Sequence, residues 1–69
     1  MEGWKKIMTI KDNYLAELKR VFLSKNGIDA MLMSKSQESI KFSLNGIDLY
    51  VREGQFEIAS ILLFENEED

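Results

Sequence analysis

The sequence predicts an α+β fold: one N-terminal amphipathic helix packed on a four-stranded antiparallel β-meander, paired with a second copy through strand four. Three observations lead there. Apolar residues recur at helical spacing at Tyr14, Leu15, Leu18, Val21 and Phe22. From Ile28 the period changes to two. Asn45-Gly46 then lies between two alternating runs, a strong hairpin signal because a type I′ turn needs positive φ at both central residues.

Each element has its own warrant. Residues 1–9 read as an N-terminal segment. Thr9, Ile10, Lys11 and Asp12 have the spacing of a capping box with Asp in place of Glu, so Thr9 is expected as the N-cap. The helix is expected over 10–25. Asn26 and Gly27 then stop it, since both tolerate positive φ and Lys25 suits the negative helix end. Ile28, Ala30 and Leu32 alternate with Asp29, Met31 and Met33, and Ile40, Phe42 and Leu44 with Ser39, Lys41 and Ser43. The turn sets Leu44 opposite Ile47, Phe42 opposite Leu49 and Ile40 opposite Val51. With Glu53-Gly54 as the next turn, Val51 meets Phe56 and Leu49 meets Ile58. With 34–38 as a loop, Leu32 meets Ile40 and Ala30 meets Phe42. These hairpins agree on one apolar face, and a one-residue slip would destroy that agreement. The sheet is expected over 28–64, followed by an acidic tail, 65–69.

Ile61, Leu62, Leu63 and Phe64 break the alternation, being apolar on both faces of a strand. On an exposed edge they read as a self-pairing site. The alternatives are folding back onto the core or a short C-terminal helix, and the spacing of Phe56 and Ile58 argues against the helix.

Size and composition bound the function. Sixty-nine residues make a single domain with a marginal core. There is no cysteine and no histidine, so a disulfide is excluded and self-association is the support that remains. The chain begins with Met, carries no targeting signal and holds no apolar run of membrane-spanning length, so an intact cytoplasmic protein is expected. No histidine base, cysteine nucleophile or phosphate-cradling glycine loop exists. We expect no enzyme, no cofactor and no metal.

Charge is unevenly spread. Residues 1–25 hold six basic side chains against three acidic, and residues 26–69 hold three basic against nine acidic. Asp29, Asp48 and Glu57 fall with Tyr50, Met31 and Met33 on the open face of the expected sheet, with Glu38 and Glu53 at a rim and Glu65, Glu67, Glu68 and Asp69 in the tail. Alternate residues on a strand are about 7 Å apart, close to the spacing of phosphates along a nucleic-acid strand. These carboxylates are therefore expected to dock on a basic, nucleic-acid-binding protein. In small size, acidic balance and lack of catalytic groups the chain resembles the acidic host-takeover inhibitors of lytic phages, some of which mimic DNA. The resemblance is of class and assigns no residue. It implies an inhibitor acting on a nucleoid protein in a bacterial host, binding no nucleic acid itself. The alternatives are a small nucleic-acid-binding protein using Lys5, Lys6, Lys11, Lys19, Arg20 and Lys25 with Trp4 stacking, or a structural, antitoxin-like dimer.

Overall fold

The computed structural model describes residues 2–34 and 46–66. The elements run β1 (Trp4–Ile10), α1 (Asn13–Lys25), β2 (Ala30–Ser34), β3 (Ile47–Arg52), a 3-10 turn (Glu53–Gln55) and α2 (Phe56–Asn66). The class is α+β and the sheet is antiparallel. The expected architecture is corrected, however: the described sheet has three strands in the order β1-β3-β2, and a second helix stands where strand four was expected.

β3 is the central strand. It pairs with β1 from Trp4↔Arg52 to Ile10↔Ile47, and with β2 from Ala30↔Val51 to Ser34↔Ile47. Both flanks of β3 are thus taken by β1 and β2, where the meander required the segments 39–44 and 55–60. Residues 39–44 themselves lie outside the described residues. β1 and β2 are parallel to each other with β3 between them, a split β-α-β arrangement. The N-terminal segment has become an edge strand, and the pairing register between Lys6 and Met8 shifts at a β-bulge. The extra residue lets both Ile7 and Met8 pack on the helix side of the sheet.

The helix starts later than expected because Thr9 and Ile10 belong to β1. Asp12 is the N-cap, its Oδ1 accepting from the backbone N–H groups of Tyr14 at 2.8 Å and Leu15 at 3.2 Å. Gly27, at φ +81°, ends α1 as the sequence predicts. Gln55 then ties two connections together. Its Nε2 donates to the Gly27 carbonyl at 3.0 Å, and its Oε1 accepts from the Asp29 N–H at 2.9 Å.

Both helices pack on one face of the sheet. The buried core takes Ile10 from β1, Ala16 and Leu23 from α1, Ile28 from the loop, Leu49 and Val51 from β3, and Ala59 and Leu63 from α2. Phe56, Ala59 and Leu63 stand three and four apart, so in a helix they share the inward face. That spacing explains α2: two turns of helix bury on one side what a strand would have split between two faces. No helix among the described residues is long and apolar enough to cross a membrane.

Candidate functional site

The molecule offers an open sheet face and an outer helix surface, with a groove between α2 and β1. The open face is built by the residues alternating with Leu49 and Val51, namely Asp48, Tyr50 and Arg52, with their neighbours in register. Lys6 and Met31 flank Tyr50, Thr9 and Met33 flank Asp48, and Trp4 lies beside Arg52. Asp48 is not available there as a docking carboxylate. It is only 8% exposed, its Oδ1 accepts from the Thr9 hydroxyl at 2.7 Å, and Lys6 Nζ stands 4.0 Å away. The sequence pattern put Asp48 on this face but missed Thr9, because the neighbouring strand was not recognised. Asp29 is exposed and lies 3.7 Å from the Arg52 guanidinium, which also sits 4.3 Å over the Trp4 ring. Tyr50 is half-buried. The face therefore carries two carboxylates each set against a cation, which is a balanced surface rather than an acidic strip.

The other expected carboxylates are dispersed. Glu53 lies in the 3-10 turn, Glu57 in the first turn of α2 and Glu65 at its far end, all exposed. Helical rise separates Glu57 from Glu65 by about 12 Å along the axis. Glu38, Glu67, Glu68 and Asp69 lie outside the described residues. The basic groups are dispersed too. Lys5 and Lys6 belong to the sheet, whereas Arg20 on α1 is held by Glu17, with Nε 3.3 Å from its carboxylate. The hydrogen bond from Arg20 keeps the Glu17 carboxyl below its ordinary pKa and raises that of Arg20. Trp4, expected to stack on a base, is already covered by Arg52.

The residues expected at a dimer edge divide by helical geometry. Leu63 is 1% exposed and belongs to the core, and Leu62 is half-buried. Ile61 is 52% exposed and Phe64 68%, and Ile58 joins them at 51%. These three are spaced three apart and run along the outer side of α2. On α1, Tyr14, Leu15 and Leu18 are exposed as well. Between α2 and the edge strand β1 lies a groove of about 350 Å³ lined by Ile7, Met8, Phe56, Ser60, Leu63 and Phe64. Lys5 marks one end of it, with its ammonium 4.5 Å from the Phe56 ring. Among the described residues no three acidic side chains gather to hold a metal ion.

The chain finds no significant match among protein-family models, curated proteins or solved structures.

Proposed function

We propose that this protein is a non-enzymatic protein-binding module that works as a homodimer through its helix layer. The observation that carries the reading is α2, a surface helix with large apolar side chains on every side. Such a helix is normally buried all round, and here Ile58, Ile61 and Phe64 remain outside. Covering the exposed part of each would contribute about 1 kcal/mol. The occupant is a second copy because the two helices complement each other. α1 offers Tyr14 and Leu18 with Lys25 on the same side, at spacings of four and seven. α2 offers Ile58, Ile61 and Phe64 with Glu57 and Glu65. A two-fold axis that sets α1 of one protomer against α2 of its partner joins apolar to apolar and basic to acidic, twice over. An α2-on-α2 pairing would set glutamates against glutamates. The charge asymmetry of the chain is then a docking code between copies, and it replaces the acidic strip as its purpose.

Sedimentation equilibrium tests this. The wild type is expected to be dimeric at micromolar concentration. Ile58→Lys with Ile61→Lys is expected to give a folded monomer, because both positions are exposed in the protomer. Leu63→Lys is expected to unfold the chain, because that position is buried. A wild type that stays monomeric at high micromolar concentration rules the reading out.

A further inference from the structure

We propose that the free edge of β1 and the groove beside it take an extended peptide of a partner protein as a fourth strand. Its side chains alternate between apolar and acidic. This inference rests on the protein-binding reading and names the class of partner.

Two independent features meet at this place. The first is the edge. Among the described residues β1 pairs with β3 alone, leaving its outer N–H and C=O groups without a strand. No proline blunts it, since the chain has none. The second is the groove. A strand added beside β1 would lie about 4.8 Å away and alternate its side chains between the two faces of the sheet. Those turned to the helix side enter the space lined by Ile7, Met8, Phe56, Ser60, Leu63 and Phe64. The bulge is what turns both Ile7 and Met8 to that side. It also breaks the edge into two short stretches, so the ladder is short and the side-chain pocket carries much of the selectivity.

Charge selects the occupant. Lys5 and Lys6 lie on β1 and Lys11 follows it, all exposed. Lys5 faces the Phe56 ring and makes no ion pair among the described residues. Residues of the added strand that point to the open face would meet Lys6, whose half-exposed ammonium stands 4.0 Å from Asp48 and can take a second carboxylate from the outer side. A second copy's β1 would instead bring lysine against lysine, and like charges opposite each other in a sheet are destabilising.

The probe is a short synthetic peptide alternating valine and glutamate, titrated into the full chain and followed by amide NMR. We expect shifts and slowed exchange along β1. A peptide with lysine in place of glutamate should bind about ten-fold more weakly or not at all. Lys5→Glu with Lys6→Glu should reverse that preference. Ser60→Leu, which fills the groove from an accessible helix position, should weaken binding by a similar factor, and an N-methylated peptide should not bind. Equal binding of the N-methylated peptide, no effect of Ser60→Leu, or protection of β1 that grows with protein concentration without peptide would each overturn the inference. So would failure of the glutamate peptide to bind. If that failure occurs in a chain that is dimeric through Ile58 and Ile61, the strand-addition site falls while the protein-binding reading stands.

Discussion

Asp48 shows what a single side chain decides. It sits on the sheet face that alternation assigns to solvent, yet Thr9 from the neighbouring strand donates to it at 2.7 Å and the carboxylate is almost covered. Removing it leaves the Thr9 hydroxyl without this acceptor. Asp48→Ala is expected to cost about 1–3 kcal/mol, and Asp48→Asn, which keeps an acceptor oxygen, clearly less. Thermal melts of the two variants check this, and equal melting temperatures would remove the structural role of the bond. Gly46 is the second case. Its φ is +94°, and a Cβ there would come within 2.7 Å of Thr9 Cγ2. Gly46→Ala therefore meets backbone strain and a clash together, with a cost of about 1–3 kcal/mol. Gly27 has a similar φ of +81° but nothing within 4 Å, so Gly27→Ala should cost less. If the two alanine variants melt together, the contact with Thr9 carries no weight.

At the level of elements, the ends are informative. α1 begins on Asp12, whose carboxylate satisfies two orphan N–H groups, and not on Thr9. Asp12→Ala is expected to lose about 1 kcal/mol and to fray the first turn. Thr9→Ala should leave the helix start intact and instead be non-additive with Asp48→Ala. Helical content by circular dichroism and a double-mutant cycle separate these two roles; a loss of helix in Thr9→Ala would restore the capping box. α2 was legible only in part. The run of Ile61, Leu62, Leu63 and Phe64 breaks the alternation and reads as a strand apolar on both faces, because Phe56 and Ile58 before it imitate a strand. The Glu53-Gly54 turn, which resembled a hairpin, is a 3-10 turn running directly into the helix. Three residues of alternation are too few to separate a period of two from 3.6. In β1 the opposite error arises. Lys6 and Thr9 share the open face while Ile7, Met8 and Ile10 face the core, so the bulge shifts the phase midway and hides the strand from a periodicity argument.

The whole molecule has a two-layer plan with one layer incompletely covered. Helices shield one face of the sheet, but the outer side of those helices stays apolar at Tyr14, Leu18, Ile58, Ile61 and Phe64. A chain of this size has a marginal core, and dimerisation through that side would add burial. The α1-on-α2 pairing makes a specific prediction. Lys25→Glu and Glu65→Lys should each weaken the homodimer, because each sets like charges together across both contacts. Mixed in equal amounts, the two variants should form a heterodimer in which every contact is again opposite in sign. Mass-resolved light scattering of the mixture reads this directly. A mixture no more associated than its components would show that charge does not pair the helices in this way.

From the sequence alone came α1 and its glycine stop, the period-two character of β2 and β3, and the core assignment of Leu49 and Val51. All of these rest on local spacing and on side chains whose burial repeats with a helix or strand period. The tertiary structure alone decided the strand order, the identity of β1, and the turning of Asp48 toward Thr9. Each of those depends on which distant segment lies alongside. Thr9 and Asp48 are thirty-nine residues apart, and no periodicity within a strand encodes its neighbour. The same holds for the groove between β1 and α2, whose walls come from the two ends of the chain and meet only because the split β-α-β arrangement places both against β3.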